Sequence, residues 1–210
     1  MHSPDHIYPT LSYTLFEDMA RKFCALMHNG KKAAHSIEKE DFMKTLKTYM
    51  RIGIFFVITA GSLAHFFYDW SGHASIVGYF TPVNESIWEH MKLLFFPMLL
   101  YAFVLTVRLR HHAPSIPSAL CTGILLGTFL IPLFFYSYTL VLGKAFLVLD
   151  ISTFLVSILI AFWLSYRLAS SVKILRYTPL LYCLVGILFV LFVLFTHNPP
   201  AAKIFEDPAI

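Results

Sequence analysis

Residues 178–196 read TPLLYCLVGILFVLFVLFT and contain no charged side chain. A helix needs about 20 apolar residues to cross the hydrocarbon core of a bilayer, so this run predicts a transmembrane helix. Four similar runs precede it in the chain. Together they predict five transmembrane helices, at about 52–70, 83–107, 117–142, 145–166 and 178–196. The fold class expected from this pattern is an all-α polytopic membrane bundle.

The composition of the whole chain agrees with that class. Of 210 residues, 58% are hydrophobic and 13% are charged, whereas a soluble domain carries about 25% charged residues. The formal net charge of +4 comes from basic residues at the ends of the apolar runs. We therefore expect membrane lipids around the chain and no nucleic-acid partner. The cysteines Cys24, Cys121 and Cys183 show no C-x-x-C spacing and are interpreted as small hydrophobic residues.

Residues 1–50 form a polar extension of mixed charge before the apolar runs. Apolar residues recur at helical spacing between Phe16 and Met27, which predicts an amphipathic helix. Ser36 can cap a second helix that leads toward the first span. We interpret the extension as a cytoplasmic helical hairpin at the headgroup surface, with a partner-binding module as the alternative.

The distribution of Lys and Arg predicts how the chain is oriented. Most basic residues fall in residues 1–51 and in the connections after the second and fourth spans. Cytoplasmic segments carry the excess of Lys and Arg, so we expect a multi-pass protein of the cell membrane with a cytoplasmic N-terminus. A bundle over 51–198 then leaves 199–210 as an extracytoplasmic tail. Thr81 and Pro82, after a short loop, predict the start of the second helix.

Polar side chains within the predicted spans share one depth. In this topology all five spans bring them to the outer half of the bundle. They are His65, Asp69, Asn84, Glu85, Trp88, Glu89, His90, Lys92, Tyr136, Tyr138, Asp150 and His197. Ionisable groups are costly at bilayer depth, so they usually face the bundle interior and often serve function. The convergence of five separate segments predicts a functional cavity.

Helical spacing groups some of these residues, but each group also has a simpler interpretation. His65 and Asp69 lie four residues apart and would share a face, as would Glu85 and Glu89. The first pair could be a hydrogen bond that holds the bundle together. The second, with Lys92, could be an ion network on the helix surface. The aromatic residues could belong to an interfacial belt, and Asp150 could act on the dipole of its helix.

Two stretches resemble a known family. They are GSLAHFFYDW at 61–70 and FTPVNESIWEHMKLLFFP at 80–97, of which PVNESIWEH is the most specific part. They are similar to an uncharacterised family of small bacterial integral membrane proteins, a domain of unknown function. The resemblance extends over about 52–208. It implies a polar cluster of His65, Asp69, Asn84, Glu85, Glu89 and His90, and it implies no established activity.

Three functions fit these observations. The slightly favoured one is a metal-dependent membrane hydrolase of a lipid or lipid-linked substrate. His65, Asp69 and His90 would then bind a divalent metal ion, with zinc favoured, and Glu85 and Glu89 would be the catalytic carboxylates. The second is a proton- or cation-coupled transporter or channel. The third is a noncatalytic assembly subunit whose polar cluster fixes helix packing. The oligomeric state stays open.

Overall fold

The computed structural model describes residues 40–109 and 113–207, and every regular element in that part of the chain is helical. The helices are α1 Glu40–Trp70, α2 Ser75–Gly78, α3 Ile87–Leu109, α4 Ile116–Leu142, α5 Leu147–Leu168 and α6 Thr178–His197. Short 3₁₀ helices at Val172–Tyr177 and Lys203–Phe205 precede and follow α6. All helices except α2 belong to segments long and apolar enough to cross a membrane, five in number. The predicted fold class is confirmed.

Helix α1 is described from Glu40 onward and so includes part of the extension that the sequence separates from the bundle. The chain divides into two compact units, residues 1–46 and 47–210. In the first unit, the described residues 40–46 start the helix, and Lys44 pairs there with Glu40 at 3.1 Å on the exposed surface. In the second unit, the helix continues to Trp70. The predicted amphipathic helix between Phe16 and Met27 lies outside the described residues.

Helix α3 begins at Ile87, not at the Thr81–Pro82 step that the sequence favours. Side chains bonded to the backbone hold the preceding residues in a turn. The Ser86 hydroxyl accepts a hydrogen bond from the Glu89 amide at 3.4 Å, as an N-cap residue does. The Asn84 side-chain oxygen accepts one from the Ser86 amide at 3.0 Å. Glu85 therefore lies before the helix, outside its regular spacing.

Close helix packing in the bundle depends on glycine. Gly127 of α4 faces Ala161 of α5, and a Cβ added to Gly127 would lie 2.7 Å from the Ala161 Cβ. Gly61 of α1 similarly faces Phe154 of α5, where an added Cβ would lie 2.7 Å from the ring. Small residues at such positions let membrane helices approach closely. The contacts fix α1 and α4 against α5 within residues 47–210.

One end of the bundle collects most of the polar side chains that the sequence singles out. We call it the site end. It holds the last turns of α1, α4 and α6 and the first turns of α3 and α5. Contacts between these segments, described below, show that they lie together. The basic residues Arg108, Arg167, Lys173 and Arg176 lie at or beyond the opposite ends of α3 and α5.

Candidate functional site

Three side chains of types that can bind a metal ion meet at the site end. His65 comes from α1, Glu85 from the turn before α3, and His90 from the first turns of α3. The Nε2 atom of His65 lies 3.6 Å from one Glu85 carboxylate oxygen, and the Nε2 atom of His90 lies 3.4 Å from the other. One ligand atom from each residue lies within 4.8 Å of the other two. We call these three residues the His–Glu cluster.

The orientation of His90 follows from its second ring nitrogen. His90 Nδ1 lies 2.9 Å from the Ser86 carbonyl oxygen, which can only accept a hydrogen bond. Nδ1 therefore carries the proton, and in the neutral ring Nε2 presents its lone pair to the Glu85 carboxylate. Two lone pairs facing each other at this distance repel unless a cation or a second proton lies between them. An imidazolium–carboxylate pair and a shared metal ion both satisfy this geometry.

Glu85 is exposed, although it contacts both histidines. The hydrogen bond with His90 lowers the pKa of the Glu85 carboxyl below its usual value. Partial burial opposes this effect, and the charges on His90 and His65 add to it. A carboxyl with a lowered pKa is ionised at neutral pH, which is the form that binds a metal ion. The side chain of His65 is partly exposed, and its Nδ1 atom is buried without a hydrogen-bond partner among the described residues.

Asp69, proposed from the sequence as a metal ligand, is directed elsewhere. Its carboxylate lies 3.2 Å from Nε2 of His73, and both side chains are exposed. Helix α1 ends at Trp70, and Gly72 and His73 then take positive φ angles of 68° and 62°. This turn brings His73 back toward the helix end. The structure therefore places Glu85, not Asp69, with the two histidines.

Glu89, proposed from the sequence as a catalytic carboxylate, forms a buried ion pair. One of its oxygens accepts hydrogen bonds from Lys92 Nζ at 2.6 Å and from the Val83 amide at 3.0 Å. Lys92 is completely buried and also donates to the Gly78 carbonyl at 3.1 Å and the Thr196 hydroxyl at 2.7 Å. An ammonium group has three donors, and here all three have a partner.

The Glu89–Lys92 pair determines the path of the loop that carries Glu85. It contacts that loop at the Gly78 carbonyl and at the Val83 amide, and it joins both to the last turns of α6 through Thr196. Glu85 follows Val83 by two residues. The pair therefore positions the carboxylate of the His–Glu cluster without belonging to the cluster.

A second polar pair lies between α4 and α5. The Tyr138 hydroxyl donates a short hydrogen bond to the Asp150 carboxylate, and the Phe146 amide donates to the same hydroxyl at 3.4 Å. Phe154, one turn after Asp150 in α5, packs on Gly61, one turn before His65 in α1. Asp150 is therefore a carboxylate at the level of the His–Glu cluster that does not belong to it. Tyr136 is exposed and lies within electrostatic range of Glu206 in the C-terminal tail.

Two aromatic residues from the proposed cavity wall pack against other rings. The Trp88 ring lies 4.8 Å from the ring of Phe192 and 5.0 Å from that of Phe205 in the tail. The His197 ring packs edge-to-face on Tyr79 at 5.0 Å. These contacts join α3, α6 and the tail at the site end. Burial of Trp88 among rings gives it a packing contact in place of an interfacial position.

Two contributions to the site were missed in the sequence. Thr196 binds Lys92, and Ser86 both caps α3 and accepts the hydrogen bond that orients His90. Ser86 and Glu89 have the S-x-x-E spacing of a capping box, which marks a helix start. That signal would have placed the start of α3 and removed Glu85 from the helix. No comparable signal marks Thr196.

Comparison with known proteins identifies a family. The model of a family of unknown function matches residues 38–210. No curated protein matches the chain, and no solved structure matches it. The match starts upstream of residue 52, where the sequence resemblance was expected to begin. The matched residues include the whole of helix α1 as described, Glu40–Trp70.

Proposed function

The chain belongs to DUF6512, a family of unknown function, and we propose for it, from the site itself, metal-dependent hydrolysis of a lipid or lipid-linked substrate. The observation that carries this proposal is the His–Glu cluster. Two histidines and a glutamate are a ligand set of catalytic zinc sites, in which a water molecule takes the fourth position. Zinc is the favoured ion, because imidazole and carboxylate suit it and tetrahedral coordination needs few ligands.

The distances within the cluster support an ion between the side chains. Two ligands about 2.1 Å from a tetrahedral zinc ion lie about 3.4 Å from each other. Glu85 lies 3.4 Å from His90 and 3.6 Å from His65, too far for strong hydrogen bonds and close to that ligand separation. A metal ion between these side chains would take the place of the proton that Glu85 and His90 share.

The chemistry follows from the exposure of the cluster. A zinc ion held by His65, Glu85 and His90 would lower the pKa of a bound water to about 7 and would so supply a nucleophile for a carbonyl or phosphoryl group. Glu85 now belongs to the ligand set and Glu89 is paired with Lys92, so neither is free to accept the proton of that water. Asp150, at the level of His65 and bonded to Tyr138, is a carboxylate available for this role.

The position of the site points to a membrane substrate. The cluster lies at the ends of five apolar helices, and Leu140 and Val148 close to the α4–α5 turn are strongly exposed. Such surfaces contact acyl chains when the helices cross a bilayer. At the opposite end, Arg167 lies over the Trp163 ring, as basic and aromatic residues do at a membrane interface. We place that end in the cytoplasm and the site outside.

The same cluster could exchange protons, which is the basis of the transporter alternative. A transporter would need polar groups along the remaining length of the spans. Segments 93–107, 117–142, 151–166 and 178–196 contain no Asp, Glu, Lys, Arg or His. The sequence therefore favours a site at one end of the bundle over a path through it.

Metal analysis of the purified full-length protein tests the proposal. We expect about one zinc ion per chain by mass spectrometry, and hydrolysis products when the protein is incubated with a panel of bilayer lipids. Glu85→Gln removes a ligand and should lose the zinc. Asp69→Asn is the matched control, since Asp69 is a carboxylate at the same end outside the cluster.

Three results would count against the hydrolase. If the wild-type protein binds no divalent ion, the His–Glu cluster is a protonated pair, and the result favours the transporter hypothesis. If zinc binds equally well to both variants, the metal lies elsewhere. A zinc-loaded protein that hydrolyses no lipid would favour the noncatalytic subunit.

The orientation has its own test. A reporter enzyme active only outside the cytoplasm should be active when fused after Ile210. Activity of a cytoplasmic reporter at that position would place the site on the cytoplasmic side.

A further inference from the structure

An apolar groove runs between α4 and α5 beside the Tyr138–Asp150 pair. Its walls are formed mainly by Phe134, Tyr138, Leu149 and Val156, and its volume is about 400 Å³. Binding pockets for small molecules have volumes of about 300–1,000 Å³. We propose that this groove holds the acyl chain of the lipid substrate, an inference that rests on the proposed function and specifies its substrate class.

The floor of the groove is apolar although three hydroxyl residues contribute to it. Ser137 donates to the Leu133 carbonyl at 2.6 Å, Ser152 to the Val148 carbonyl at 2.6 Å, and Thr153 to the Asp150 carbonyl at 2.8 Å. Each hydroxyl hydrogen is thus used within its own helix. A polar headgroup would find few donors here, whereas a hydrocarbon chain would contact methyl and methylene groups.

The groove runs along the axis of α5 toward the middle of the span, as a lipid acyl chain does in a bilayer. Leu149, Thr153 and Val156 are spaced three and four residues apart, so they lie on one face of α5. At 1.5 Å per residue, the distance along the helix from Leu149 to Val156 is about 10 Å. The groove therefore starts at the level of Asp150 and follows α5 toward the middle of the span. The groove is open toward the outside of the bundle.

The polar pair at the start of the groove connects it with the His–Glu cluster. Tyr138 lines the groove and donates to Asp150. Asp150 lies at the level of His65, because Phe154, one turn further along α5, packs on Gly61, one turn before His65 in α1. A chain in the groove would bring its carboxyl end to this level. The bond expected to react is therefore an ester or amide of the acyl chain. Water adds its oxygen to the carbonyl carbon, the bond to the alcohol or amine breaks, and the leaving group takes up a proton.

Photochemical labelling tests the groove without requiring turnover. The full-length protein in nanodiscs would be irradiated with phosphatidylcholine that carries a diazirine midway along one chain. We expect labels to concentrate on groove residues such as Phe134 and Val156, about tenfold above other lipid-facing positions. Val156→Trp should fill the groove and remove that excess. Ile151→Trp is the matched control, since Ile151 is exposed on the same helix and does not line the groove.

The outcomes separate this inference from the proposed function. Even labelling over all exposed faces, or equal labelling of both tryptophan variants, would overturn the groove whatever the metal content. Concentrated labelling that Val156→Trp abolishes, with unchanged zinc content, supports it. Concentrated labelling in a protein that binds no zinc would keep the groove as a lipid site and overturn the hydrolase.

Discussion

Two groups of charged side chains lie within a few residues of each other at the start of α3, and they differ in how completely they are satisfied. The Glu89–Lys92 pair is buried, and the lysine donors bond to three oxygens at 2.6, 2.7 and 3.1 Å. The His–Glu cluster is partly exposed, and its contacts are 3.4 and 3.6 Å long. A saturated group indicates a structural role. A partly exposed group with long contacts has room for a further ligand, as the proposed metal site requires.

The largest effect is expected from Lys92→Met. The substitution leaves the Glu89 carboxylate buried without its cation, and breaking a buried pair in this way costs about 3–5 kcal/mol. We expect a fall of that size in the free energy of unfolding, measured by denaturant titration in detergent. The double variant Lys92→Met/Glu89→Gln removes both charges and should recover much of the loss. A double variant as unstable as the single one would show that the pair is not the source of the effect.

Glu85→Gln should have the opposite effect, with little change in stability and a large loss of zinc affinity. The residue is exposed and lies outside the helix, so its charge contributes little to stability. We expect a change below about 1 kcal/mol in the metal-free protein. Zinc affinity should fall more than the ~10–100-fold known for groups that only support a ligand. Competition with a coloured chelator measures the affinity. If Glu85→Gln greatly lowers stability and leaves zinc affinity unchanged, the His–Glu cluster has a structural role and does not bind the metal.

The sequence predicts the bundle well because its signals there are redundant. Five apolar runs need no partner to be recognised, and α6 contains no charged residue over 178–196. The arrangement of the carboxylates was harder to predict. Helical spacing put Glu85 and Glu89 on one face, which holds only if both are in the helix. Since α3 begins at Ile87, Glu85 turns toward the histidines while Glu89 turns toward Lys92.

Asp69 lies outside the predicted site for a similar reason, because it too is at the end of a helix. The residue lies in the last turn of α1, where the chain turns back, and this brings His73 within 3.2 Å. Loop conformations of this kind depend on positive φ angles that the pattern of residue types does not specify. The sequence therefore predicts which residues gather at the site end, but it does not predict which of them contact one another.

A pH titration should sharpen the comparison further. The pKa of Glu85 is lowered in the folded protein, chiefly by its hydrogen bond with His90, from an ordinary value of 4.5. A lowered pKa gives stability that is present above the unfolded value and is lost as the pH falls through the folded one. The metal-free protein should therefore lose a small amount of stability below pH 4.5. Glu85→Gln should remove that component, and an unchanged profile would contradict the contact with His90.

The smallest effect is expected from Ser86→Ala, because Ser86 serves the two groups through different atoms. Its hydroxyl accepts the Glu89 amide hydrogen at 3.4 Å, a long bond, so removing this cap should cost no more than about 1 kcal/mol. Its carbonyl, which accepts the hydrogen bond from His90 Nδ1, remains in the variant. Zinc affinity should therefore stay unchanged while the unfolding free energy falls slightly. If the affinity falls together with stability, the turn of residues 83–86 depends on the hydroxyl, and the cap and the cluster behave as one unit. Asn84→Ala then distinguishes the two cases, since it frees the Ser86 amide and loosens the turn while the hydroxyl stays in place.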